Sequence, residues 1–113
     1  MGVQDPDAVQ RAAEWLRKHF DPELARGFSA RFRLELSGPG GGVLGMRIED
    51  GILTLEPGGR SAPDVTIALA AQDFLDVLAG RANGELLFMA GRVRIDGTPS
   101  LVLRLQTLFR RRV

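Results

Sequence analysis

Asp50-Gly51 lies between two stretches in which apolar and polar residues alternate, and no other feature restricts this chain so tightly. Asp-Gly supplies the two left-handed backbone positions that a tight β-hairpin turn needs. A two-residue turn there pairs Glu49 with Ile52, Ile48 with Leu53, Arg47 with Thr54 and Met46 with Leu55. Beyond the turn-closing Glu49–Ile52 pair, apolar then faces apolar and polar faces polar. A slip of one residue would put every oily side chain on the wrong side of the sheet. The same period of two runs upstream, where Phe32, Leu34 and Leu36 alternate with Arg31, Arg33 and Glu35. Ser37 to Gly42, with four glycines and a proline, is the loop between these strands. Asp64 to Leu69 repeats the alternation through Val65, Ile67 and Leu69, and Arg92 to Asp96 forms a last strand around Val93 and Ile95.

Elsewhere the period changes to that of a helix. Val9, Ala12, Ala13, Leu16 and Phe20 recur at three- and four-residue steps, predicting a helix over Asp7 to Phe20 with Trp15 at the edge of its apolar stripe. Asp5-Pro6 reads as its cap and first residue. Gln72 to Ala79 is helical through Phe74, Leu75 and Leu78, with Gly80 as its stop. Leu86-Leu87-Phe88-Met89 is a short apolar run that periodicity leaves unassigned. Thr98-Pro99 opens a final helix expected to reach about Arg110. Strands and helices do not alternate strictly. The expectation is an α+β fold with one five-stranded mixed sheet covered by helices. At 113 residues the chain has room for a single domain, 1–113. Within it lie an N-terminal helical region (1–24) and a basic tail (110–113).

Several kinds of chemistry find little to work with. There is no cysteine and only one histidine, which removes disulfides and the usual zinc cages, so no metal and no cofactor are expected. His19 falls at a helix end with no serine motif near it, where the helix dipole suits it. Glu49 and Asp50 lie at a hairpin tip, where solvent keeps carboxylates ordinary. Gly38 to Gly42 separates two strands and lacks the following Lys-Ser/Thr of a phosphate loop. The polar start and the absence of a long apolar run argue for a cytoplasmic protein with no signal peptide or membrane span. The net charge is +1, and the cations scatter along strands, so no nucleic-acid partner is expected. Charge is nonetheless unevenly spread. Residues 1–80 carry eight basic and twelve acidic side chains, whereas 81–113 carry seven basic and two acidic. Such a C-terminal third suits a solvated helix face, or weak attraction to anionic lipid or an acidic partner.

The last third is also rich in apolar side chains. Leu101, Val102, Leu105, Leu108 and Phe109 form a broad stripe, with the Phe74–Leu78 helix and the Leu86–Met89 run close by in sequence. Stripes of this kind usually fill a core. The alternative is that the helices close incompletely on the sheet and leave an apolar pocket. Burying ten methylenes there at about 0.8 kcal/mol each is worth the roughly 8 kcal/mol of a micromolar complex. Periodicity cannot distinguish the two.

Asp64-Val-Thr-Ile-Ala-Leu-Ala70, Gln72-Asp-Phe-Leu75 and Leu78-Ala-Gly80 resemble the central block of the sterol carrier protein-2 (SCP2-like) domain family. So do Asn83 to Phe88, Met89-Ala-Gly-Arg-Val-Arg-Ile-Asp-Gly97, and the stretch from Leu101 through Leu108. The resemblance covers about residues 25–109. It implies an apolar tunnel between sheet and helices, and non-catalytic binding and transfer or presentation of a lipid. Fatty acids, fatty acyl-CoAs, sterols and isoprenoid- or quinone-like molecules are the implied cargo. On this chain the tunnel floor would be Phe32, Leu34, Met46, Leu55 and Ile67. Its walls would be Phe74, Leu78, Leu86, Leu87, Phe88, Met89, Leu101, Leu105, Leu108 and Phe109, with Arg104 and Arg110 at an anionic head group. The alternative the resemblance allows is an accessory module for a lipid or ubiquinone biosynthetic enzyme, with little free ligand binding. Further expected partners are an anionic membrane surface or a lipid-metabolic enzyme, met by a monomer or weak dimer. The chain ends Arg-Arg-Arg-Val rather than in a Ser-Lys-Leu-type tripeptide, which does not support a peroxisomal address. It reads as a stand-alone member with a bacterial-looking composition, for which fatty acyl or quinone-type cargo is favoured over sterol.

Overall fold

A computed structural model of the chain describes residues 8–59 and 62–109. Helix α1 (Ala8–His19) leads into strands β1 (Ser29–Ser37), β2 (Gly42–Glu49) and β3 (Ile52–Pro57). Strand β4 (Val65–Ala70) passes directly into α2 (Ala71–Leu78), and α3 (Gly84–Met89), β5 (Val93–Gly97) and α4 (Pro99–Gln106) follow. The fold is α+β, with one five-stranded mixed sheet in the order β3-β2-β1-β4-β5.

The β2–β3 hairpin has the register that its alternation dictates, with Ile48 opposite Leu53 and Met46 opposite Leu55. Asp50 and Gly51 take φ values of 42° and 89°, the pair of left-handed residues expected of the turn. The turn is also anchored from outside. The Asp50 carboxylate accepts from the Gly27 amide at 2.6 Å, and the Asp50 amide donates to the Phe28 carbonyl. At the sheet's centre β1 and β4 run parallel, with Phe32 opposite Val65 and Leu34 opposite Ile67. Strand β5 closes that side antiparallel to β4. Gly97, at its end, has φ 118°, and a Cβ there would collide with the Asp64 carbonyl and Val65, so only glycine suits this corner.

Alternation gives the sheet two different faces. Phe32, Leu34, Leu36, Leu44, Met46, Ile48, Val65, Ile67 and Leu69 point inward and are buried. Arg31, Arg33, Arg47, Thr66 and Arg94 occupy the alternate positions on the outer face. Helix α1 buries Val9, Ala12, Ala13 and Leu16, the stripe its spacing predicts. The cap expected at Asp5-Pro6 lies outside the described residues.

One open assignment is resolved and two local expectations are corrected. The unassigned run 86–89 is helical, because the Asn83 side chain accepts from the Leu86 amide at 3.1 Å and caps α3. Thr98 stands at the N-cap of α4 with Pro99 behind it, but its side chain makes no capping hydrogen bond. Helix α4 ends at Gln106, short of Arg110. There the Thr107 amide and hydroxyl both turn back to the Arg104 carbonyl, at 3.0 and 2.7 Å, and close the last turn. The chain then drops Leu108 fully into the core, and Phe109 pairs with Phe20 in an isolated antiparallel bridge.

Candidate functional site

The apolar face of the sheet is not covered evenly. Beneath α1 the packing is dry, with Ala12, Leu44 and Ile48 at 0% exposure and Leu34 at 1%. Toward β5 the apolar side chains remain half-buried. Phe74 and Leu78 of α2, Val93 and Ile95 of β5, and Leu101 and Val102 of α4 all pack against the core yet keep contact with solvent. The register sets Val93 opposite Leu69 and Ile95 opposite Ile67, so β5 continues the apolar floor outward from β4. Short helices are the reason. Helices α2, α3 and α4 have eight, six and eight residues; α2 buries Ala71, Asp73 and Leu75, α3 none of its side chains and α4 only Leu105.

The candidate tunnel residues separate into three groups. Phe32, Leu34, Met46, Ile67, Leu105 and Leu108 are buried in the core. Leu55, Phe74, Leu78, Leu87, Leu101 and Phe109 are half-buried. Leu86, Phe88 and Met89 stand on the surface at 65%, 51% and 80% exposure. Of the two candidate head-group cations, Arg110 lies outside the described residues. Arg104 is exposed, and its guanidinium carbon sits 5.2 Å from the centre of the Phe28 ring, a cation–π arrangement that joins α4 to the turn before β1.

A second feature went unnoticed in the sequence. On the outer face, at the end of the sheet nearest α2, lies an open hollow of about 710 Å³. Val43, Ala68 and Ala70 are apolar parts of its lining, and Glu35, Arg92 and Arg94 supply charge. Cross-strand pairing sets Val43, Glu35, Ala68 and Arg94 in one row, so the small Ala68 opens a trough between charges of opposite sign. Asp73 of α2 borders it, and Arg92 Nη2 donates to Asp73 Oδ1 at 3.0 Å. The Asp73 side chain is only 13% exposed, while that of Arg92 is 60% exposed. These residues lie nineteen apart in the chain, and neither carries a local signal of the pair. Two signs of charge and an existing ion pair make this hollow a poor host for a hydrocarbon chain.

His19 is engaged structurally: Nδ1 lies 3.0 Å from the Trp15 carbonyl, and the ring stacks on Trp15 with centroids 4.1 Å apart. Phe109 packs edge-on to Phe20 at 5.6 Å and tilted to Trp15 at 6.1 Å, fastening the C-terminal segment to α1. The Asp76 carboxyl is held below its usual value by hydrogen bonds from Arg81 and Gln72. Among the described residues no three His, Cys, Asp or Glu side chains gather as a metal site, and no helix is long and apolar enough to cross a membrane.

The architecture recurs among solved structures. The sec-alkylsulfatase Pisa1 from Pseudomonas sp. contains it with a TM-score of 0.74 and 18% identity, over 84% of this chain and 15% of that one. Palmitated SCP2L2 from Aedes aegypti matches at 0.68 and 19%, over 94% of this chain and 95% of its own. A UbiJ-SCP2 ubiquinone synthesis protein matches at 0.67 and 14%, over 88% and 90%. At these identities the likeness establishes the fold, that of an SCP2-type α+β domain.

Residues 12–110 match the SCP-2 sterol transfer family, and the chain belongs to it. Hydroxysteroid dehydrogenase-like protein 2 of Rattus norvegicus is 29% identical over 104 residues, which are 89% of this chain and 20% of that protein. The chain thus spans about a fifth of the length of such relatives, in which the matched part is one domain of a larger protein.

Proposed function

We propose that this chain is a non-catalytic lipid carrier. It holds the apolar tail of a fatty acid, fatty acyl-CoA or isoprenoid-like molecule between the sheet and helices α2 and α4. The observation that carries the reading is the half-buried layer of Phe74, Leu78, Val93, Ile95, Leu101 and Val102. Apolar surface left partly wet within a packed layer gains most from a guest that covers it, at about 25 cal/mol per Å². The buried floor residues Phe32, Leu34, Met46 and Ile67 support that layer from below. A tunnel opens when the short helices lift from β4 and β5 to admit the tail. Family membership supports the reading, as does the palmitated state of the Aedes aegypti structure.

Arg104 is the head-group residue of this proposal. It is an exposed cation beside the half-buried face of α4, held in place by the Phe28 ring. Arginine in place of nearly all lysine fits a bacterial-looking composition, and a bacterial source favours acyl or quinone-type cargo over sterol. In this reading the carrier acts in the cytoplasm as a monomer or weak dimer. A second reading, an accessory module for a lipid or ubiquinone biosynthetic enzyme, draws support from the UbiJ-SCP2 likeness and from the larger relatives.

Native mass spectrometry of protein purified without detergent tests the carrier, followed by titration with a fluorescent fatty acid. The expected result is a retained small lipid, or a one-to-one probe complex with micromolar affinity. A chain that carries no lipid and binds no acyl probe from twelve to eighteen carbons overturns the carrier and favours the accessory module.

A further inference from the structure

Strand β5 is an outer edge of the sheet, with β4 on one side and, among the described residues, no strand on the other. An edge strand carries a row of backbone amides and carbonyls that its own sheet does not use, open to a strand from another chain. Two charges stand on the outer face of this edge, Arg94 and Asp96, and both are exposed. Neither makes an ion pair or a side-chain hydrogen bond among the described residues. The neighbouring strands behave differently. Arg33 and Glu35 of β1 have the same two-residue spacing and close on each other at 2.9 Å, and Arg47 and Glu49 of β2 approach to 3.8 Å. Aspartate is one methylene shorter than glutamate, and on β5 the pair stays open. Across the sheet Asp96 faces Thr66 and Arg94 faces Ala68, which carry no charge. Glu35, beyond Ala68, is already held by Arg33.

The inner face of the edge is unfinished in the same way. Val93 and Ile95 are half-buried, whereas Leu69 and Ile67, directly opposite them on β4, are buried. A strand added at the edge would cover their outer flank and leave the side toward the helices free.

The order of residues in β5 selects that strand. When a second β5 is laid antiparallel on the free edge with Ile95 opposite Ile95, Arg94 of each copy falls opposite Asp96 of the other. Val93 then lies opposite Gly97, where there is room for it. Opposite charges meet on the outer face and isoleucine meets isoleucine on the inner one, the cross-strand pairs that stabilise a sheet. Other registers lose this match. A slip of one residue sets a charge against Ile95, and a slip of two sets Arg94 on Arg94 or Asp96 on Asp96. Parallel pairing in register also opposes like charges.

We propose that the free edge of β5 recognises a second copy of this chain. The two copies join antiparallel through Val93–Gly97, about a two-fold axis at Ile95, with an Arg94–Asp96 pair on each side of the axis. That axis keeps both apolar sheet faces on one side, so the two half-buried layers adjoin. The proposal stands apart from the lipid-carrier reading, because the contact uses the strand edge and not the space beneath α2 and α4. Five residues from each copy bury far less than the roughly 800 Å² per partner of a tight complex, so the dimer is weak, with a Kd on the order of 100 µM.

Sedimentation velocity of the full chain from 5 to 500 µM tests it. The expected result is a shift from monomer toward dimer across that range. Arg94→Asp and Asp96→Arg, both at exposed positions, are each expected to weaken association at least tenfold with an unchanged circular dichroism spectrum. Each sets two like-charge pairs across the axis. An equimolar mixture of the two variants is expected to associate again as a heterodimer, since every pair across its axis is of opposite charge. The double variant carrying both substitutions should self-associate as wild type does. Ile52→Ser, on the opposite edge at β3, should leave association unchanged. A wild-type chain that stays monomeric at 500 µM overturns the proposal. A dimer that ignores both charge reversals, single variants that fail to complement each other, or a dimer lost with Ile52→Ser overturns it equally.

Discussion

The two ends of this sheet are covered by helices of different quality. Under α1, Val9, Ala12, Ala13 and Leu16 are buried together with Leu44, Met46 and Ile48 of β2, while the β3 edge beside them, at Leu53 and Leu55, stays half-buried. At β5, three helices of eight residues or fewer leave Val93 and Ile95 half-buried, although Val65, Ile67 and Leu69 of the neighbouring β4 are covered. The first end is a core in the ordinary sense: its interior is close-packed, and its stability comes from contacts already made. The second has contacts still to make. A binding domain needs both, since the rigid end fixes the sheet on which the loose end opens.

Substitution separates the two ends. Ile48→Ala in the dry end is expected to cost about 2–5 kcal/mol by urea unfolding, through lost burial and the cavity left behind. Acyl-probe affinity should change less than twofold at temperatures where the variant is folded. Phe74→Ala in the wet end is expected to do the reverse. It should cost less stability than Ile48→Ala, since the ring is not fully buried, and weaken probe binding about tenfold, near 1.4 kcal/mol. Similar stability losses at both positions would erase the contrast.

Smaller effects sharpen it. Arg104→Glu is expected to weaken binding of a fatty acid several-fold while leaving that of the matching alcohol nearly unchanged, as seen by calorimetry. Equal losses would remove Arg104 from the head group. The Asp76 carboxyl, whose pKa is lowered by Arg81 and Gln72, adds stability while it is ionised. That contribution is complete above the unfolded carboxylate value and is lost as pH falls through the lower folded value. Asp76→Asn should therefore melt slightly below wild type at pH 7, and the gap should vanish in acid. A gap that widens in acid would reverse the assignment.

The sequence makes the dry end far easier to read than the wet one. Alternation through Phe32–Leu36, the Asp50-Gly51 turn and Val65–Leu69 determines which residues face inward, because a slipped strand would expose them all. Strand order is another matter. The parallel β1–β4 pair depends on long-range packing that no local period records. At the wet end, Leu86 to Met89 is apolar all round, so pattern alone could not say that Leu87 faces inward while its neighbours face water. Asn83 followed by Glu85 in the first turn was the available signal for α3, an acceptor side chain three residues before an amide it can cap. The stripe of α4 is legible as far as Leu105. Beyond it, a hydroxyl at Thr107 ends the helix and sends Leu108 inward, a choice that apolar spacing does not encode.

Methyl and aromatic NMR of the full chain, titrated with a sixteen-carbon fatty acid, tests the central claim most directly. The account predicts saturable shifts at Phe74, Leu78, Val93, Ile95, Leu101 and Val102, with Leu44 and Ile48 unmoved. Shifts confined to the charged hollow around Ala68 and Arg94, or none at saturating ligand, would contradict it.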